Sequence, residues 1–201
     1  MKKSLAVLAL AASAASLALV SSSQAQTSRP WMNRTLSPDA RAAMVVRQMT
    51  RDEKLSLVFG YFASNADHKK YKPPEGVRMG SAGYVPGIPR LGIPPQWQSD
   101  AGIGVATQGA ATEKRERTAL PSGMATTATW NPELAYKGGA MIGSEAFSSG
   151  FNVLLAGGVN LVREPRNGRN FEYGGEDPLL AGTMVGAQIA GVQSNPVVST
   201  I

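Results

Sequence analysis

With 201 residues, 43% of them hydrophobic, the chain is long enough to bury a core but short for two domains. Its 20 lysines and arginines outnumber 14 acidic residues, for a net charge of +6, yet they are dispersed. The dense basic patch with interleaved aromatics that nucleic acid requires is missing, so no nucleic-acid partner is expected, and the lack of cysteine excludes disulfides, thiol nucleophiles and thiolate metal sites.

Met1-Lys2-Lys3, an apolar run from Leu5 to Val20 and then Ser23-Gln24-Ala25 read as a signal peptide over residues 1–25, cut after Ala25. That places the mature protein in the periplasm or outside the cell. The alternative reading of the run is a retained anchor. After cleavage no segment is apolar for long enough to cross a bilayer, and no membrane partner is expected. Residues 26–34 read as a linker, and Asn33-Arg34-Thr35 fits a glycosylation acceptor.

Ser37-Pro38-Asp39 opens a first helix, with Ser37 as N-cap, running to about Met49. Thr50-Arg51-Asp52-Glu53 fits a capping box for a second helix that Gly60 can end. From Asn65 to Pro95 the chain is rich in Gly and Pro and reads as one long loop, a candidate wall of a site. His68 lies there alone, without a metal-ligand partner at useful spacing. His68-Lys69-Lys70-Tyr71-Lys72 and Glu113-Lys114-Arg115-Glu116-Arg117 read as solvated loop segments.

Gln96-Trp97-Gln98-Ser99 reads as a short strand delivering Asp100 to a turn. Asn131-Pro132 starts a long helix closed by Gly150, and Asn152-Val153-Leu154-Leu155-Ala156 follows as a strand covered on both faces. Asp177, as N-cap, and Pro178 begin another helix, stopped by Asn195-Pro196, and Val197 to Ile201 reads as a last strand. Strand, helix, strand, helix, strand argues for parallel βα units. The fold class is α/β: the N-terminal portion of a (β/α)8 TIM-type barrel, incomplete at about three strands where a whole barrel takes about 250 residues.

In such folds ligands bind at the carboxyl ends of the strands. Asp100 follows the first strand and Arg163 follows the second, after Asn160-Leu161-Val162. From position alone the pair reads equally as a grip on sugar hydroxyls or as a structural ion pair closing the loops. Gly102-Ile103-Gly104 lacks the third glycine of a dinucleotide fingerprint, and Ser122 lacks a nucleophile elbow.

The segment from Val162 to Pro178, with Arg163, Pro165, Gly168-Arg169, Phe171-Glu172 and Glu176-Asp177-Pro178, closely resembles the signature of glycoside hydrolase family 3. Met49-Thr50 with Glu53-Lys54, Gly87 to Pro94 leading to Ser99-Asp100, and Ala119 to Gly123 with Thr129 to Leu134 are similar to other motifs of that family in the same order. The resemblance covers residues 35–201.

It implies a β-glucosidase-like hydrolase that releases terminal β-D-glucosyl residues with retention and needs no metal or organic cofactor. It implies that Asp100 and Arg163 bind sugar hydroxyls beside the scissile bond, and that Arg169 and Glu172 support the loop from behind. Where many members read Asp-Gly-Pro, this chain has Asp100-Ala101-Gly102, which leaves substrate preference open.

A retaining glycosidase needs a nucleophilic carboxylate and an acid about 5–5.5 Å apart. None of Glu172, Glu176 or Asp177 matches the family nucleophile, so no catalytic residue is expected within the chain and the missing remainder of the protein would be its partner. The expected ligand is an oligosaccharide or β-glucoside. A vestigial sugar-binding fragment, a β-xylosidase and a β-N-acetylglucosaminidase are the alternatives.

Overall fold

The computed structural model describes residues 29–63, 72, 74, 77, 80–106 and 116–201. The signal sequence, the first residues of the linker, His68 and most of both charged clusters lie outside them. The chain divides into two units, Met1–Arg51 and Asp52–Ile201.

In the first unit a 3-10 turn, Pro30–Met32, packs on helix α1, Pro38–Gln48. Ser37 caps α1 as expected: its Oγ accepts from the Ala40 amide at 3.2 Å. Arg41 holds the turn through Nε to the Trp31 carbonyl at 2.6 Å.

Helix α2, Arg51–Leu57, leads into the second unit. It ends before Gly60, which does not take the left-handed conformation expected of a terminator. Tyr61 instead pairs with Tyr84 through two 2.8 Å backbone bonds, so the chain is already extended at the point where the helix was expected to close. Glu53 turns to Arg90, accepting Nε at 2.6 Å and Nη2 at 2.5 Å.

The segment expected as one loop carries strand β1, Gly83–Val85, and a 3-10 turn, Pro89–Leu91. β1 runs antiparallel to β2, Gln96–Asp100. β2, β3 (Val153–Leu155) and β4 (Val198–Thr200) are parallel, in the order β1-β2-β3-β4. Sequence reading finds the three parallel strands and misses β1, which is held by β2 across a Pro-rich turn and by Tyr61 on its other side.

A short helix α3, Gly123–Thr127, was also unforeseen, and Ser122 is its N-cap, accepting from Ala125 at 3.1 Å. Between β2 and β3 the chain then runs through α4, Pro132–Ser148, and between β3 and β4 through α5, Pro178–Val192. Both long helices start as their sequences predict. Asn131 accepts from Leu134 at 3.1 Å, and Asp177 accepts from Leu179 and Leu180 at 2.8 and 3.0 Å. These side chains satisfy amides that the first turn leaves unpaired. Gly150, at φ 81°, releases α4 into β3.

The two helices lie together with glycine at the contact. A Cβ at Gly191 would overlap the Tyr136 carbonyl oxygen and come within 2.8 Å of the Ala140 nitrogen. Gly139 and Gly143 meet the backbone of Gln188 and Val192 from the other side. Under the helices lies the core of Ile142, Ala146, Phe151, Leu154, Val192 and Val197, with Ala101 and Val105 from the turn after β2. Burial of Ile142 and Leu154, each fully enclosed, is worth about 1.5–3 kcal/mol apiece.

Asn152 fixes the start of this sheet. Its Oδ1 accepts from Trp97 N at 2.7 Å and its Nδ2 donates to the Pro95 carbonyl at 2.8 Å, locking β2 against β3. The register that follows puts Asp100, Leu155 and Thr200 side by side at the carboxyl ends of three parallel strands.

Candidate functional site

An open cleft of about 590 Å³ lies at those strand ends. Asp100 comes from β2, Leu155, Ala156 and Gly157 from β3 and the turn after it, and Thr200 and Ile201 from the end of β4. The far wall is the loop after β3, through Asn160, Arg169, Glu172 and Tyr173. Leu155, expected to be covered, is 41% exposed because the strand runs out into this cleft. Gly157 turns the chain away at φ 103°, a conformation open to glycine and strained for other residues.

The loop bonds to itself. Val162 N donates to the Gly175 carbonyl at 3.0 Å, closing its base. Asn170 Nδ2 donates to the Glu164 carbonyl at 3.0 Å, and Asn167 N to the same carbonyl at 3.1 Å. At its outer edge Arg166 bonds both oxygens of Glu164, at 2.8 and 3.0 Å, and holds that carboxyl below its ordinary pKa by this pairing.

A 3-10 turn, Asn170–Glu172, brings the chain back to the cleft. There the Glu172 carbonyl is seated between Gly123 and Gly158, since a Cβ on either would collide with it. Beneath it a small, partly open space of about 20 Å³, lined by Thr126, Thr127, Gln188 and Gly102 among others, has room for about one water. Gln188 Nε2 donates to the Gly102 carbonyl at 3.0 Å, tying α5 to the turn that follows Asp100.

The structure thus brings Asp100, Arg169 and Glu172 to one cleft. Arg163 is exposed, next to the loop base, and is not among the residues that line it. Arg169 Nε donates to Glu172 Oε1. Arg169 is held charged beyond its ordinary range, first by the bond to Glu172, then by the charges of the Glu172 and Asp100 carboxylates. Two carboxylates therefore act on one guanidinium. Such a set can offer a fork of donors beside a carboxylate acceptor, the complement of adjacent hydroxyls.

Sequence reasoning did single out Arg169, but as support for the loop. The signal that places it in the wall is its spacing from Glu172: three residues across a tight turn put both on the same side. Among the described residues, no group of three His, Cys, Asp or Glu side chains could hold a metal ion, and no helix is long and apolar enough to cross a membrane.

Residues 69–201 match the glycosyl hydrolase family 3 N terminal domain. The chain is 46% identical over 123 residues to β-glucosidase BoGH3A of Bacteroides ovatus, covering 58% of this chain and 16% of that protein. It is 33% identical over 173 residues to the probable β-glucosidase F of Aspergillus flavus, covering 85% and 18%. Among solved structures, β-glucosidase 3B from Thermotoga neapolitana in complex with glucose superposes with a TM-score of 0.67 at 34% identity, over 78% of this chain and 22% of that one. DesR, a β-glucosidase from Streptomyces venezuelae in complex with D-glucose, superposes at 0.62 with 32% identity, over 79% and 18%. The chain thus spans less than a quarter of the length of each of these relatives. Its fold, its motifs and the extent of these matches agree that it belongs to glycosyl hydrolase family 3.

Proposed function

We propose that the chain is the sugar-gripping N-terminal part of a retaining β-glucosidase, and that a terminal β-D-glucosyl unit sits in the cleft against Asp100 and Arg169. The observation that carries this reading is the register of β2, β3 and β4, which opens three strand ends onto one cleft with a carboxylate on one wall and a guanidinium on the other. Asp100 accepts hydrogen bonds from sugar hydroxyls and Arg169 donates them. Tyr173 and Leu155 give the ring an apolar surface. The names and bound glucose of the similar proteins support glucose as the sugar.

Of the two carboxylates of the cleft, Asp100 takes the sugar hydroxyls and Glu172 holds Arg169. The nucleophile and the acid that retaining hydrolysis needs are supplied from residues beyond this chain. Hydrolysis of p-nitrophenyl β-D-glucoside tests this division. A longer chain read on from the same frame is expected to release nitrophenolate and the 201-residue chain to release none above background; turnover by the shorter chain contradicts it. The xyloside and N-acetylglucosaminide analogues, run beside it, rank the β-xylosidase and N-acetylglucosaminidase alternatives.

The amino-terminal sequence supports export, with the mature protein periplasmic or secreted. N-terminal sequencing of the exported form is expected to begin at Gln26; an intact Met1 on an exported, membrane-bound form contradicts cleavage.

A further inference from the structure

Arg169 is a long side chain with 70% of its surface exposed. Its neighbour in the ion pair is different. Glu172 has only 21% of its side chain exposed, its carbonyl is trapped between Gly123 and Gly158, and its Oε2 lies 4.0 Å from where a Cβ on Gly102 would stand. Gly102 is two residues beyond Asp100, so Glu172 is referenced to the same turn that carries the carboxylate on the opposite wall.

Glu172 takes the Nε of Arg169 and leaves its two terminal amino groups, which make no hydrogen bond or ion pair among the described residues. A guanidinium held at Nε keeps its planar orientation while the end of the fork remains available to a ligand. We propose that Glu172 is a positioning residue, which fixes the Arg169 guanidinium over the cleft, across from Asp100, so that the sugar meets a donor fork already aimed. This rests on the reading of Asp100 and Arg169 as sugar-binding groups. Gly123 and Gly158 complete the device, because they alone let the Glu172 backbone approach so closely.

The test is a titration of the full chain with methyl β-D-glucoside, followed by nuclear magnetic resonance. Glu172→Ala frees Arg169 and is expected to raise the dissociation constant about tenfold through lost preorganisation, and to speed exchange of the Arg169 Nε proton relative to the wild type. Glu172→Gln keeps an oxygen that accepts this proton, and is expected to rescue binding to within about threefold of the wild type. Introduced into Arg169→Gln, Glu172→Ala is expected to add nothing. A role confined to loop stability would weaken binding equally in both backgrounds and show no rescue by Gln, and that result overturns the proposal.

If Arg169→Gln weakens binding but both Glu172 variants bind as the wild type, the positioning role alone is overturned. If Arg169→Gln itself binds as the wild type, the reading of the cleft falls and this inference with it. Should Glu172→Ala unfold, Glu172→Asp replaces it with the same expectation, because it is one methylene too short to reach Nε.

Discussion

Replacing Gly191 with alanine is expected to destabilise the protein by about 2–3 kcal/mol, whereas the same change at Gly186, five residues earlier in α5, is expected to stabilise it by about 0.5–1 kcal/mol. Glycine is a poor helix former, so alanine gains wherever there is room for its methyl group. At Gly186 there is room: nothing lies within 4 Å of the added carbon. At Gly191 the methyl group would overlap the Tyr136 carbonyl oxygen and press on the Ala140 amide, both in the backbone of α4.

A backbone cannot rotate aside as a side chain can, so the helices must part. Their separation would loosen Ile142 and Val192, both fully buried between them and the sheet. Urea unfolding of the two variants checks this, with midpoints expected to move in opposite directions at unchanged slope. A Gly191→Ala protein as stable as the wild type would mean that α4 and α5 do not approach as closely as described.

Asp100→Asn is expected to weaken methyl β-D-glucoside binding about 10- to 100-fold while leaving the fold intact. The substitution keeps the shape of the side chain and removes its charge, and a hydrogen bond to a charged group contributes about 1.5–3 kcal/mol against about 0.5–1.5 kcal/mol for a neutral one. Asp100 sits at the end of β2, where its carbonyl accepts from Ala106 N at 2.8 Å and the next amide, Ala101 N, donates to Leu155 at 3.0 Å. Neither backbone bond uses the carboxylate, so both can form in the variant. Isothermal titration beside a thermal melt separates the two effects; a loss of binding that tracks a loss of stability would remove Asp100 from the binding role.

Much of the scaffold is legible in the sequence because it is locally encoded. Asn131-Pro132 and Asp177-Pro178 announce the starts of α4 and α5 by capping chemistry, and Gly150 marks the end of α4 by its freedom to turn left-handed. The apolar runs at Val153 and Val197 are β3 and β4. What is not legible depends on partners distant in the chain. β1 has only three residues in a Gly- and Pro-rich stretch, and it is a strand because β2 and Tyr61 pair with it. Gly60 is a plausible terminator locally, but Tyr61 is claimed by Tyr84.

The same limit separates the two arginines. Arg163 and Arg169 lie six residues apart in one loop, and strand-end position favours Arg163. The loop folds back on itself through Asn167 and Asn170 before it reaches the cleft, so the later arginine, carried by a tight turn, arrives at the wall. Family motifs identify the loop, and only the folded backbone says which of its cations faces the strand ends.

The proposed seat of the sugar is at the carboxyl ends of β2, β3 and β4, between Asp100 and Arg169. It is tested most directly by a heteronuclear NMR titration of the chain with methyl β-D-glucoside, repeated on Arg169→Gln and Arg163→Gln. Shifts are expected only at residues around Asp100, Gly157 to Asn160 and Arg169 to Tyr173, lost in the Arg169 variant and kept in the Arg163 variant. Shifts that survive in Arg169→Gln and vanish in Arg163→Gln would contradict it.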